Sequence, residues 1–272
     1  MPHEAVKVPH EGHETIHETL GLPQEVMKTK SVPMTIEEFE LVSHPFGWKC
    51  EYWDGTAHFT PREHGVKVSL DLDRRELSTA HKIHPADPAY RRQMIDAFFE
   101  TFYDSVEFCN WPTDKIQAHA RNNIEECFDE KRGKTLEVSK MAFEPNTGDL
   151  IGLALFLINR ENEAELDLLF VKPPYQGKGV ATEMVAAAAN ELLTSGTGKI
   201  VSRYHVCNER SREWHTKFGF KELPDQAYIR MKYAWYKHEV WRNEKLGTSV
   251  NLKELEKQRD YWFGQLDDGF RY

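Results

Sequence analysis

The sequence predicts an α/β fold, a sheet flanked by helices, on three observations. From about Ser78 the strand and helix patterns follow one another in the order β-α-α-β-β-β-α-β-α. Two apolar runs, Leu150–Ile158 and Ala164–Val171, are adjacent in this order and are typical of buried central strands. A glycine-containing loop and the Ala-rich helix Gly179–Leu193 come directly after the second run. Such a strand–loop–helix unit packs a helix on one face of a sheet.

Ahead of this array, the chain predicts one short helix and three strands. Thr35 followed by Glu38 forms a capping box, which starts the helix. The dipeptide Asp54-Gly55 is a two-residue turn between two strands, and alternating Val and Leu residues mark the third strand. The predicted elements are Thr35–Val42, Trp48–Trp53, Thr56–Thr60 and Val66–Leu72.

Within the array, prolines and glycines set the limits of the elements. Pro88 and Pro112 open two helices, the turn Pro145–Asp149 separates two strands, and Gly219 ends the last helix. The predicted strands are Ala80–Ile83, Thr135–Phe143, Leu150–Ile158, Ala164–Val171 and Ile200–His205. The predicted helices are Pro88–Phe102, Trp111–Phe128, Gly179–Leu193, Ser211–Phe218, Asp225–Lys245 and Leu252–Phe263.

These patterns divide the chain into four predicted parts. They are a flexible polar tail at 1–30, a small α/β appendage at 31–77, the main domain at 78–223 and a C-terminal helical extension at 224–272. In the tail, three histidines have the spacing of a metal-binding helical turn, but no carboxylate or thiol completes a ligand set, so we expect no metal there. These histidines are His10, His13 and His17.

The extension is rich in aromatic residues. They either pack its helices onto the main domain or form a homodimer contact. The aromatic residues in question are Trp235, Tyr236, Trp241, Tyr261 and Trp262.

Composition excludes several classes of partner. The net charge of −9 argues against nucleic acid, because binding to phosphate backbones depends on clustered Lys and Arg. No apolar run is long enough to span a bilayer, and the N-terminus lacks the basic and apolar segments of a signal peptide. The four cysteines form no CxxC pair and fit reduced thiols. We therefore expect a soluble, cytoplasmic protein that binds neither nucleic acid nor membrane.

The most informative stretch runs from Leu166 to Ala181, where a buried strand ends, two prolines turn the chain, and two glycines precede a helix. Glycines let the backbone approach a phosphate closely, and the free N–H groups of a helix's first turn point toward it. The spacing differs from that of a P-loop and from the three-glycine dinucleotide fingerprint. The stretch therefore predicts an anion cradle of another kind.

Gln176-Gly-Lys-Gly-Val-Ala181 is similar to the acetyl-CoA loop of the GNAT superfamily of N-acetyltransferases, whose pattern is Gln/Arg-x-x-Gly-x-Gly/Ala. A second motif follows: Asn208-Glu-Arg-Ser-Arg-Glu-Trp-His-Thr-Lys-Phe-Gly-Phe220 resembles the family's Asn-x-x-Ala-x-x-Leu-Tyr-x-x-x-Gly-Phe. The resemblance covers residues 78–223. It implies a GNAT-type mixed, twisted sheet and transfer of an acetyl group from acetyl-CoA directly to an amine, with no metal. The cofactor contacts that it implies are Phe170, Val171, Gln176, Gly177, Lys178, Gly179, Val180, Ala181, Thr182 and Asn208.

The resemblance also indicates candidate catalytic groups. Glu165 occupies the place of the family's glutamate base, and Asp167, two residues further on, projects from the same strand face. Either carboxylate could deprotonate an ammonium through water, or bind the acceptor without taking a proton. His215 replaces the tyrosine that protonates the departing thiolate. It either serves as that acid or packs on the CoA arm while water is the acid.

The implied acceptor is an amine, either a small molecule or a peptide. The loop that holds Glu107, Cys109, Asn110 and Trp111 lies where the family builds its acceptor pocket. One alternative to catalysis is a module that binds acyl-CoA as a sensor or regulator. Another is an interaction protein, because residues 34–64 locally resemble the opening of Uma2-like proteins, although the nuclease motif of those proteins has no clear counterpart.

Overall fold

The computed structural model describes residues 30–77, 80–248, 251–267 and 269. The expected tail at 1–30, with its hypothesis about His10, His13 and His17, therefore lies outside the described residues except for Lys30. Within the described ranges, the strands form two sheets.

Most of the helices and strands predicted from the sequence are present, in the predicted order. The strands are β1 (Lys30–Pro33), β2 (Trp48–Trp53), β3 (Thr56–Pro61), β4 (Gly65–Asp71), β5 (Lys82–Pro85), β6 (Lys134–Thr135), β7 (Lys140–Phe143), β8 (Leu150–Ile158), β9 (Ala164–Val171), β10 (Lys199–His205) and β11 (Lys221–Glu222). The α-helices are α1 (Ile36–Leu41), α2 (Arg91–Phe102), α3 (Thr113–Phe128), α4 (Val180–Thr194), α5 (Glu209–Phe218), α6 (Gln226–Leu246) and α7 (Leu252–Gly264).

The first sheet is small and antiparallel, with its strands in the order β1-β3-β2. Helix α1 beside it begins with the predicted capping box: the Glu38 N–H donates to Thr35 Oγ1 (3.1 Å), and the Thr35 N–H donates to Glu38 Oε2 (2.7 Å). The hairpin between β2 and β3 turns at Asp54 and Gly55, both with positive φ (51° and 70°), as such a turn requires. Both local predictions are confirmed.

The second sheet has eight strands, in the order β11-β4-β10-β9-β8-β7-β5 with β6 beside β8. β9 and β10 run parallel, and the other neighbouring strands run antiparallel, so the sheet is mixed as predicted. The predicted order of the major elements is confirmed, and the fold class is α/β.

β4 differs from its sequence assignment. The sequence predicts this strand as part of the appendage at 31–77, but it pairs with β10 from Gly65–His205 to Asp71–Lys199 and lies inside the second sheet. Alternating apolar residues predict a strand and one buried face, but they do not specify the neighbouring strand. The appendage boundary as a whole stays a prediction.

Helices cover both faces of the second sheet. On one face, α2 and α3 bury Phe98 and Ile124 against β7, β8 and β9. On the other face, α4 and α5 bury Met184 and Phe218 against β4, β8, β9 and β10. The apolar character of β8 on both of its faces follows from this double coverage.

Two predicted strands differ from the observed ones. The single strand predicted at Thr135–Phe143 is two strands, β6 and β7, because the chain turns between them: the Ser139 N–H and hydroxyl both donate to Leu136 O (3.1 and 2.8 Å). The strand predicted at Ala80–Ile83 is shifted to Lys82–Pro85.

The C-terminal helices α6 and α7 pack on the rest of the chain. Trp262 of α7 packs against the core of the second sheet, and Trp235 Nε1 of α6 donates to His44 O (2.6 Å). These contacts agree with the first alternative, packing within the chain, and the homodimer contact stays a prediction. No helix among the described residues is both long and apolar enough to span a membrane.

Candidate functional site

The central parallel strands separate partway along their length. Both strands are fully described, and the register between β9 and β10 contains only the pairs Val201–Glu165 and Ser202–Leu166. Successive N–H groups of a strand point to opposite edges. Beyond Leu166, the backbone N–H groups of β9 that face β10 therefore have no hydrogen-bond partner in β10. This opening is the first feature of the site.

A loop follows β9 at the wide end of the opening. Its two glycines, Gly177 and Gly179, have φ of +73° and +86°, a left-handed conformation that favours glycine. In the described part of the chain, no heavy atom beyond the immediate neighbours lies within 4 Å of the position that a Cβ would take at either glycine. The loop backbone is therefore open on this side to a ligand.

Helix α4 begins directly after Gly179, which is its N-cap. The first N–H groups of a helix have no intrahelical acceptor, and the helix dipole favours an anion in front of them. Gln176 Nε2 donates to Val171 O (2.9 Å), which ties the loop to the end of β9. Loop and helix together have the backbone geometry that an anion cradle requires, and the binding of an anion there stays a prediction.

A close contact holds α4 against the sheet. A Cβ at Gly152 on β8 would lie 3.2 Å from Phe170 O and 3.3 Å from Val180 Cγ1. The first turn of α4 can pack this closely because Gly152 has no side chain. The cradle is thus fixed relative to the opening between β9 and β10.

The remaining predicted cofactor residues lie around the cradle. Phe170 and Val171 are buried at the end of β9. Lys178 and Ala181 belong to the loop and the first turn of α4, and Lys178 Nζ lies 5.4 Å from the Tyr175 ring centroid. Thr182 Oγ1 accepts from Trp214 Nε1 (3.2 Å), which joins α4 to α5.

Asn208 is engaged within the protein. Its Oδ1 accepts from the Ser211 N–H (2.9 Å), which caps α5, and its Nδ2 donates to Glu107 on the loop between α2 and α3. Asn208 therefore connects the predicted acceptor loop to the end of β10. Its contact with a cofactor stays a prediction.

The two candidate carboxylates have different partners. Glu165 Oε2 accepts from Asn159 Nδ2 (2.8 Å), and Arg203 Nε lies 3.9 Å from Glu165 Oε1. Asp167 Oδ2 lies 2.8 Å from a guanidinium nitrogen of Arg132. Burial raises the pKa of Asp167, the Arg132 charge opposes that rise, and the Glu165 charge adds to it.

His215 is buried between α5 and β10, with only 3% of its surface exposed. Its Nδ1 lies 2.7 Å from Ser211 O, so this nitrogen carries the proton, and its Nε2 lies 3.2 Å from the Ser202 hydroxyl. Burial lowers the pKa of His215 to about 4. At neutral pH the imidazole is uncharged, and its proton is held by a backbone carbonyl. This geometry favours the packing alternative over the acid.

The pKa of His215 predicts a pH-dependent stability. The unfolded chain takes up a proton near pH 6.5 and the folded chain only near pH 4, so stability should fall as the pH drops between these values. The full difference corresponds to about 3 kcal/mol of unfolding free energy. Urea unfolding at pH 7, 6 and 5 should show a shallower pH dependence for His215→Gln than for the parent. Equal slopes would contradict the buried, neutral state of His215.

Sequence reasoning missed the partners of both carboxylates. A turn at Asn159 was predictable, because asparagine between two strands is typical of an Asx-type turn. In the structure its Oδ1 accepts from the N–H groups of Glu161 (3.0 Å) and Glu163 (2.9 Å). Arg132 had no comparable local signal, because only the fold brings it to Asp167.

The fold and site define an α/β protein with an anion cradle at the open end of a separated strand pair. Residues 91–220 match the model of the acetyltransferase (GNAT) family. This match confirms the resemblance to the GNAT family, and it lies within the limits of 78–223 expected from the sequence. No curated protein matches the sequence.

Solved structures to which the chain is similar include PaiA N-acetyltransferase from Thermoplasma acidophilum in complex with coenzyme A, at 19% identity over 55% of this chain and 95% of that one, with a TM-score of 0.46. The ribosomal-protein-S18-alanine N-acetyltransferase from Escherichia coli matches at 15% identity over 53% and 79% of the chains, with a TM-score of 0.39. A Drosophila protein matches at 15% identity over 59% of this chain, with a TM-score of 0.38, and the match spans only 48% of its own length.

Proposed function

We propose that the protein transfers an acetyl group from acetyl-CoA directly to an amine. The observation that carries this proposal is the cradle of Gly177, Gly179 and the first turn of α4 at the open end of the β9–β10 pair. A pyrophosphate suits such a cradle because it takes several N–H donors and the helix dipole at once. The GNAT match over the same residues supports the same assignment.

The chain's contribution to the reaction is positioning and polarisation. The cradle binds the pyrophosphate of CoA. The free N–H groups of β9 that face β10 donate hydrogen bonds to the amide carbonyls of the extended arm of CoA. One such N–H group polarises the thioester carbonyl. The amine nitrogen then attacks the carbonyl carbon, the carbon–sulfur bond breaks, the nitrogen gives up its second proton to solvent, and CoA leaves as a thiolate that takes up a proton.

Glu165 is the better candidate for the base. Asp167 is held by the Arg132 guanidinium at 2.8 Å, whereas the nearest cation to Glu165 is the Arg203 guanidinium at 3.9 Å. A proton taken by Glu165 therefore disturbs a weaker ion pair. The ammonium must lose one proton per turnover, directly or through water, before its nitrogen can attack.

Water is the better candidate for the acid. The proton of His215 Nδ1 is committed to Ser211 O, and the ring is buried. The departing thiolate therefore takes its proton from solvent. The burial of His215, the candidate acid, also favours a second candidate function, a module that binds acyl-CoA without transferring the acyl group.

The experiment that tests the proposal is release of CoA thiol from acetyl-CoA in the presence of a panel of small-molecule and peptide amines. Transfer predicts release that requires both acetyl-CoA and one class of amine. A binding module predicts that CoA binds but that no amine causes release.

A further inference from the structure

β9 is irregular at the point where it leaves β10. The register between β8 and β9 passes from Leu155–Leu168 to Phe156–Leu166, so Asp167 is an extra residue that faces no residue of β8. This is a β-bulge, and a bulge bends the strand that carries it. Leu166 is also the last β9 residue paired with β10. The bulge therefore sets the direction of the part of β9 that borders the opening.

The bulge residue is fixed by one ion pair. Asp167 Oδ2 lies 2.8 Å from Arg132 Nη2, and only 16% of the Asp167 side chain is exposed. A carboxylate this buried is costly without a partner. The guanidinium offsets part of that cost, and the ion pair joins the bulge to the segment that follows α3.

Arg132 is itself held by α3. Its Nη1 donates to Asn123 Oδ1 (2.8 Å), and its Nη2 donates to Asn123 O (2.7 Å). The next residue, Gly133, lies so close to β8 that a Cβ there would be 2.2 Å from Ile158 O. The guanidinium thus donates to two acceptors on α3, and the backbone next to Arg132 lies against the sheet.

The same network reaches the loop between α2 and α3. Asn123 Nδ2 donates to His119 Nε2 (2.8 Å), and the His119 ring lies 4.9 Å from Phe108 and 5.2 Å from Trp111 between ring centroids. Burial lowers the pKa of His119, which keeps the ring neutral and able to accept this hydrogen bond. A continuous set of contacts joins the predicted acceptor loop to the bulge in β9.

We propose that Arg132 is a positioning residue that holds the Asp167 bulge, and so aims the free N–H groups of β9 at the thioester. The proposal rests on the proposed acetyl transfer for its effect on turnover. Its effect on the β9 backbone is independent of any reaction. Arg132 acts through Asp167, on the backbone that follows the bulge.

The test compares Arg132→Met with Arg132→Lys, which keeps the charge but loses the fork that spans Asn123 and Asp167. In both variants kcat should fall roughly 10- to 100-fold from misplacement of the carbonyl, while CoA affinity falls less, because the cradle is untouched and only the contacts of the CoA arm with β9 are disturbed. Amide hydrogen exchange in residues 166–170 should become faster in both variants. If Arg132→Met does not fold, Arg132→Lys provides the result.

Arg91→Met is the matched control. Arg91 Nη2 lies 3.3 Å from Asp129 Oδ1, so the variant removes another arginine–aspartate pair that involves the end of α3 but does not reach β9. It should leave kcat and the exchange of 166–170 unchanged. Parent values of exchange in folded Arg132→Met or Arg132→Lys would overturn the proposal. Parent kcat with faster exchange would also overturn it.

The two proposals fail in different ways. An inactive parent protein would refute acetyl transfer, and the exchange measurement would then decide by itself whether Arg132 holds the bulge. An active parent whose Arg132 variants match it in kcat would refute only the positioning role.

Discussion

Gly177→Val is expected to weaken CoA binding at least about 100-fold while the protein stays folded, because it removes one or two charge-assisted hydrogen bonds worth roughly 1.5–3 kcal/mol each. Gly177 has a φ of +73° and open space where its Cβ would be. Valine strains this conformation and places a branched side chain on the side from which a phosphate approaches. Isothermal titration with CoA measures the loss directly.

Gly148→Val is the matched control for that strain. Gly148 lies in the turn between β7 and β8 with a φ of +74°, and its Cβ position is also open among the described residues. Both variants therefore have the same free-energy cost for a left-handed valine backbone, but only Gly177 lies in the cradle. Unchanged CoA affinity in a folded Gly177→Val, or an equal loss in Gly148→Val, would mean that the cradle is misassigned.

Glu165→Gln is expected to lower kcat by about 10²–10⁴ with little change in CoA affinity, because it removes the proposed base and leaves the cradle intact. The amide can still accept from Asn159 Nδ2, which lies 2.8 Å from Glu165 Oε2 in the parent. Steady-state kinetics with the amine identified in the panel provides the measurement.

Glu161→Gln is the control for a general loss of negative charge. Glu161 lies in the turn before β9, is 63% exposed and pairs with Lys67 at 2.8 Å. Its loss should leave kcat within about twofold of the parent value, because an exposed ion pair contributes little to the stability of the fold. If Glu165→Gln turns over at the parent rate, Glu165 is not the base, and a large loss confined to Asp167→Asn would transfer the role to Asp167.

Local signals in the sequence predict much of the fold. The bounds of β8 and β9 follow from their apolar runs, and the capping box at Thr35 and the start of α4 within one residue of Gly179 follow from short motifs with a known backbone requirement. The geometry of the loop before α4 was predictable for the same reason, since two glycines and a helix start lie within a few residues of one another.

Contacts between distant segments were not predictable from the sequence. The pairing of β4 with β10 joins residues far apart in the chain, and alternation alone does not select a partner. The bulge at Asp167 and its contact with Arg132 depend on how α3 meets β9. His215 has a place in a motif, but its burial is a property of the packing of α5 on β10.

The most direct test of the central claim is CoA thiol release in the presence of amines, with cofactor binding measured on the same sample by thermal unfolding. We expect acetyl-CoA at about 100 times its Kd to stabilise the fold by roughly 2.7 kcal/mol. We also expect thiol release and an equal amount of acetylated amine only when acetyl-CoA and the acceptor are both present. Stabilisation without release by any amine would contradict catalysis, and a Tm unchanged by acetyl-CoA and by CoA would contradict the cofactor site itself.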